Sequence, residues 1–129
     1  MATEQKYRES ILRLVDALQA GDWDAFDKAV DETVTNDYLY HPPSRDPVQG
    51  AEGLKQFFRR VIQSMPGYRA TIEDALVAGN KAAVRFTMRR TDPETGKAQR
   101  RSVMTISHLK GDRVSEEWQL LGPSWEDET

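Results

Sequence analysis

A glutamate on an otherwise apolar strand face is the most chemically suggestive residue of this sequence. Val114, Glu116, Trp118 and Leu120 occupy alternate positions of a segment with strand periodicity, and Ser115, Glu117 and Gln119 fill the positions between them. Three of the four residues in the first set are apolar, so that set is expected to face the interior. A carboxylate there is costly to bury unless it is paired, and burial raises its pKa towards the range a general acid or base needs. The residues alone equally allow Glu116 to lie near an open rim, paired with one of the many arginines. His41 is the second candidate. It follows Tyr38-Leu39-Tyr40 and precedes Pro42-Pro43, where an imidazole could orient a carbonyl, shuttle a proton, or simply hydrogen-bond a loop carbonyl. His108 shares a face with Met104 and Ile106 near a turn, which reads as a strand end.

The aromatic content is large for 129 residues. Tyr38, Tyr40, Phe57, Phe58, Phe86 and Trp118, with Met88, are the expected wall of a pocket for a flat, apolar, ring-containing ligand, the tyrosine hydroxyls serving as polar contacts. Other chemistries lack their signatures. There is no Gly-rich phosphate loop, no Gly-x-Ser-x-Gly elbow, and no His/Asp/Glu cluster with metal-ligand spacing, so neither metal nor cofactor is expected.

Helices and then strands must position these residues. Tyr7, Ile11, Leu14, Val15 and Leu18 recur at spacings of three and four, the stripe of an amphipathic helix that Gly21 stops. Asp22 is placed to cap a short helix holding Trp23, Phe26 and Val30. A third helix is expected over about Ala51–Ser64, burying Leu54, Phe57, Phe58, Val61 and Ile62 and ending at Pro66-Gly67. The period then changes from 3.6 to 2. Thr71–Ala78, Lys81–Thr91, Ala98–Lys110 and Arg113–Leu121 read as strands, joined by Gly79-Asn80, Asp92-Pro93-Glu94-Thr95-Gly96 and Gly111-Asp112. Such short turns force an antiparallel meander, joined by a short strand near Val34–His41. Strands this long twist and coil, so the expected fold is α+β: one domain over 1–129, three N-terminal helices packed on a curved antiparallel sheet around a concave space.

Charge and composition narrow the partners. A net charge of −3 argues against general nucleic-acid binding, although residues 85–101 are locally basic. No apolar run approaches the roughly 20 residues that span a bilayer, and the N-terminus lacks the apolar core of a signal sequence. The absence of cysteine fits a reducing compartment, so a soluble, cytoplasmic protein without membrane or nucleic-acid partners is expected.

Several stretches, in order, resemble the nuclear transport factor 2-like superfamily, and within it the SnoaL-like, polyketide cyclase-like branch. They are Gly21-Asp22-Trp23-Asp24-Ala25-Phe26, Tyr38-Leu39-Tyr40-His41-Pro42, Gly50-Ala51-Glu52-Gly53-Leu54-Lys55-Gln56-Phe57-Phe58, Met65-Pro66-Gly67-Tyr68, Gly79-Asn80-Lys81-Ala82-Ala83-Val84-Arg85-Phe86-Thr87, and the run from His108 to Trp118. The resemblance implies a cone-shaped fold, commonly a homodimer built through the sheet. It also implies a pocket in which an acidic residue acts as general acid/base in a metal- and cofactor-free aldol closure. Glu116 falls in the corresponding last-strand motif and His41 at the histidine of the loop motif. The sequence departs from the cyclase pattern in reading His-Pro-Pro, where an Asp usually follows the His, and in its tight Asp-Pro-Glu-Thr-Gly turn. Because one fold hosts many activities, two functions stay open. One is proton transfer next to a carbonyl, as in cyclisation or ketosteroid isomerase-like chemistry. The other is non-catalytic binding of an apolar ligand. Epoxide hydrolysis is a weaker third, since it would need the central Arg85 to turn inwards.

Overall fold

The computed structural model describes residues 2–43 and 45–128; of the domain expected over 1–129, Met1, Ser44 and Thr129 lie outside the described residues. Helix α1 (Ala2–Ala20) buries Tyr7 and Leu18, with Ile11 and Leu14 packed against the same core. It ends where the spacing predicts. Gly21 takes φ +67°, and the N–H groups of Gly21 and Asp22 donate to the carbonyls of Leu18 and Ala17 at 3.2 and 3.0 Å. That pair of bonds satisfies two carbonyls the helix would leave open, and the left-handed residue it needs is least strained as glycine. Asp22 then caps α2 (Trp23–Thr33), its carboxylate accepting from the Ala25 N–H at 3.1 Å.

Strand β1 (Val34–His41) follows directly. A two-residue strand β2 (Val48–Gln49) leads into α3 (Gly50–Gln63), and four long strands complete the sheet: β3 (Arg69–Ala78), β4 (Lys81–Thr91), β5 (Ala98–Lys110) and β6 (Arg113–Leu121). The two-residue strands β2 and β7 (Glu126–Asp127) are too short to leave a periodic signal. The sheet order is β2-β1-β6-β5-β4-β3, with β7 pairing the first part of β5. The meander is antiparallel as expected, but β1 lies parallel to β6, so the sheet is mixed. No hairpin joins β1 to β6. The whole of α3 and the meander intervene, and nothing local forces the antiparallel direction.

Two strands carry an extra residue. Leu109 pairs Val114 while His108 pairs Glu116, leaving Ser115 as a bulge whose hydroxyl donates to the His108 carbonyl at 3.2 Å. Glu73 is left out in the same way between the Ile72–Phe86 and Asp74–Arg85 pairs. A bulge adds twist and shifts the alternation of side chains by one. The helices cover one face of the curved sheet. Tyr7, Phe26, Val30, Tyr38 and Val84 form the fully buried centre, and removing the apolar side chains of Phe26, Val30 and Val84 from water is worth roughly 1.5–3 kcal/mol each. No helix among the described residues is long and apolar enough to cross a membrane.

Candidate functional site

Between the helices and the sheet lies a cavity of about 430 Å³, within the range of small-molecule sites. Its wall is mostly apolar. Ile11 and Leu14 of α1, Phe57 and Phe58 of α3, and Phe86 and Met88 of β4 all line it. The aromatic side is locked edge to face: the rings of Tyr40 and Phe57, and of Phe57 and Phe58, lie 5.5 Å apart at 77° and 89°. That arrangement suits the ring quadrupoles.

The polar groups of the cavity come from β6 and β1. Beyond the Ser115 bulge, Glu117, Gln119 and Leu121 face inwards, opposite the inward-facing Ser107, Thr105 and Val103 of β5. Glu117 is surrounded by protein, and the surface it retains opens to the cavity it lines. Burial raises its pKa above the ordinary carboxylate value, and the Tyr38 hydroxyl, donating to Oε1 at 2.8 Å, partly offsets that rise. Tyr40, also on the wall, donates to Gln119 Oε1. Burial pushes Tyr68 up to about 12 and Tyr40 higher still, so both phenols stay protonated donors at neutral pH. The exposed residues of the lining are Arg45, Arg60 and Ser64, which mark the mouth.

The structure therefore separates the residues singled out in the sequence. Tyr40, Phe57, Phe58, Phe86 and Met88 line the cavity, and Tyr38 reaches it through Glu117. Glu116, His41 and Trp118 do not. They stand together on the outer face of the sheet, His41 Nε2 2.7 Å from Glu116 Oε2 and the His41 ring stacked 5.1 Å from Trp118. His108 packs edge to face against the same indole, at 4.9 Å. The two side chains are about one third exposed, and the contact reads as a surface hydrogen bond. The bulge is the cause: strict alternation from the buried Val114 would turn Glu116 inwards, and the extra residue turns Glu117 inwards instead. Arg85 also lies on the outer face, paired with Asp74 at 2.7 Å, which removes the central arginine that epoxide hydrolysis would need. Glu117, Gln119, Tyr68 and the two mouth arginines are cavity-lining residues that sequence reasoning missed. Among the described residues no three His, Asp or Glu side chains converge as metal ligands would.

Comparison with known proteins agrees with this architecture. A model of the SnoaL-like domain family matches residues 11–117. A proposed SnoaL-like polyketide cyclase from Jannaschia sp. CCS1 superposes with a TM-score of 0.79 at 20% identity, covering 94% of this chain and 88% of that one. IdmH, a proposed polyketide cyclase from Streptomyces antibioticus, gives 0.74 at 22% identity over 89% and 91%. A ketosteroid isomerase-like protein from Catenulispora acidiphila, solved with trimethylamine, gives 0.76 at 14% over 90% and 87%. At such identities the likeness is one of fold. No curated protein matches the sequence. The family match over most of the chain and the shared helix-on-sheet cone lead to one conclusion: the chain belongs to the SnoaL-like domain family.

Proposed function

We propose that the cavity binds a flat, largely apolar, ring-containing molecule and that Glu117 moves a proton at a carbon next to its carbonyl. The observation that carries this reading is a buried carboxylate on the wall of an otherwise apolar cavity, its pKa raised by that burial. Such a group is a stronger base than an exposed glutamate and holds a proton closer to neutrality. Acting as base, Glu117 takes the proton; the C–H electron pair becomes the enolate double bond and the carbonyl oxygen gains the charge. The protonated phenol of Tyr68, which lines the same cavity, supplies a donor for that oxygen. Glu117 then returns the proton to a different carbon in an isomerisation. In an aldol closure it gives the proton to the alkoxide formed when the enolate carbon attacks a second carbonyl.

The test is deuterium wash-in at the α-carbon of 2-tetralone in D₂O, followed by NMR. General-base removal is worth about 10²–10⁴-fold, so Glu117→Gln should lose at least 100-fold while Glu116→Gln exchanges like wild type. A Glu117→Gln protein exchanging at the wild-type rate refutes the assignment. A non-catalytic ligand-binding role is the second reading. It is favoured by the placement of His41 and His108 outside the cavity, which leaves Glu117 without an imidazole partner. Wild-type protein that binds 2-tetralone without exchange would establish it.

We also infer a homodimer through the outer sheet face. Leu76, Ala83, Ile106, Trp118 and His41 form one cross-strand row there, flanked by Met104 and Leu120, and Leu76 and Leu120 are 65% and 69% exposed. A patch of this kind marks an interface more often than free surface. Sedimentation equilibrium should show a dimer that Ile106→Glu dissociates; a wild-type monomer at all concentrations overturns it.

A further inference from the structure

The mouth of the cavity carries positive charge that the proposed proton transfer does not use. Arg45 lies in the loop between β1 and β2, and Arg60 in the last turn of α3; both are exposed and both line the cavity. Most other arginines are engaged. Arg59 pairs with Asp27, Arg85 with Asp74 and Arg89 with Glu128, and Arg113 donates to the carbonyls of Asp31 and Val34. Neither Arg45 nor Arg60 has an ion-pair or hydrogen-bond partner among the described residues. Arg45 instead rests over the Phe57 ring, 5.9 Å from its centroid, which holds the guanidinium against the cavity wall. A single unpaired arginine is ordinary at a surface. Two on the rim of one apolar cavity are a recognition feature, because the guanidinium fork matches a carboxylate in geometry and charge.

The interior is arranged the opposite way. Its one carboxylate, Glu117, is buried, and a second anion beside it would meet like charge and a desolvation cost. Tyr40 lies within electrostatic reach of both ends, its phenol raised by burial first and then by Glu117, and lowered by Arg45. An anionic group on a ligand is therefore favoured at the mouth and disfavoured beside Glu117.

We propose that the ligand is an organic acid: a flat apolar ring body with one carboxylate, which Arg45 and Arg60 hold at the mouth while the ring fills the aromatic wall. The assignment rests on the reading of this cavity as the ligand site, and it names the class of molecule that site takes. It also gives the bound molecule a direction, with the charged end outwards and the end bearing the carbonyl towards Glu117.

The experiment compares 2-naphthoate with 2-naphthamide, matched in shape and differing in charge, by isothermal titration of the full chain. Naphthoate should bind at least tenfold tighter than the amide, with the advantage shrinking as salt is raised. Arg45→Gln/Arg60→Gln should abolish that advantage and leave amide affinity within twofold, and Arg45→Lys/Arg60→Lys should restore part of it. Both side chains are exposed, so an unchanged melting temperature is expected for the double variant. Equal affinity of the two probes in wild type, or an advantage that persists in the Gln double variant, overturns the acid assignment and leaves the cavity as a binding site. A parallel loss of both probes in that variant overturns it too. Binding of neither probe to wild type overturns this assignment and the cavity reading together.

Discussion

Removing the hydroxyl of Tyr38 tests whether Glu117 is the strained group that the structure makes it. Tyr38 is fully buried and its hydroxyl donates to Glu117 Oε1 at 2.8 Å, while burial works against the charged carboxylate. Tyr38→Phe leaves the ring in place and deletes one charge-assisted hydrogen bond, worth about 1.5–3 kcal/mol in such a setting. Unfolding entropy near 2.1 cal/mol/K per residue gives a 129-residue chain about 0.27 kcal/mol/K, so the melting temperature should fall by about 5–11 °C at neutral pH. The decisive measurement is a double-mutant cycle with Glu117→Met, by urea denaturation at pH 7. In the Met background the Tyr38 hydroxyl has lost its acceptor, so Tyr38→Phe should there cost nothing or stabilise. The coupling energy should exceed about 1 kcal/mol. Additivity within about 0.5 kcal/mol would refute the reasoning, because the hydroxyl would then be acting on something other than Glu117.

Three further outcomes follow from the same geometry. Since the pKa of Glu117 is raised on folding, its contribution to stability is present below the ordinary value of 4.5 and is lost as pH rises through the folded value. Glu117→Gln should therefore be more stable than wild type at pH 8, with the difference vanishing at pH 4 in parallel thermal melts. Asp22→Ala should cost about 1 kcal/mol in denaturant midpoint by leaving the Ala25 N–H without its acceptor, and Asp22→Asn should recover most of it. Gly67→Ala should cost more than about 1 kcal/mol by calorimetry, because Gly67 has φ +71° and an added Cβ would lie 3.0 Å from Thr91 Oγ1.

The layering was legible because it rests on local signals. The stripe on α1, the glycine after Ala20, the cap at Asp22 and the turns at Gly79-Asn80 and Gly111-Asp112 each act over a few residues, and each element they predict is present. The aromatic wall was legible too, since Phe57, Phe58, Phe86 and Met88 take their direction from helical or strand periodicity with no interruption between them. The carboxylate was not. Period-2 alternation holds only while the ladder is regular, and the Ser115 bulge shows itself only in the pairing with β5, not in composition. With glutamates at both 116 and 117, either register puts one acid inside, and the sequence offers no contrast by which to choose. The parallel partner of β1 was hidden for a related reason, because long-range strand direction is set by packing rather than by any turn. Arg45 and Arg60 sit in a loop and on a helix end, where exposure is the default, and only the cavity's shape gives them a common purpose.

The adjacent glutamates at the bulge also bear on how this strand tolerates insertion and deletion. In most half-buried strands a one-residue deletion empties the interior of its functional group. Here, loss of Ser115, Glu116 or Glu117 would close the bulge and leave plain alternation from Val114, with a glutamate still opposite Ser107 and Gln119 and Leu121 still inside. The cavity would keep both its acid and the amide beside it. A lineage with this arrangement can cross a length change without passing through an acid-less form, and relatives shorter by one residue at this position could share both the interior acid and the lining around it.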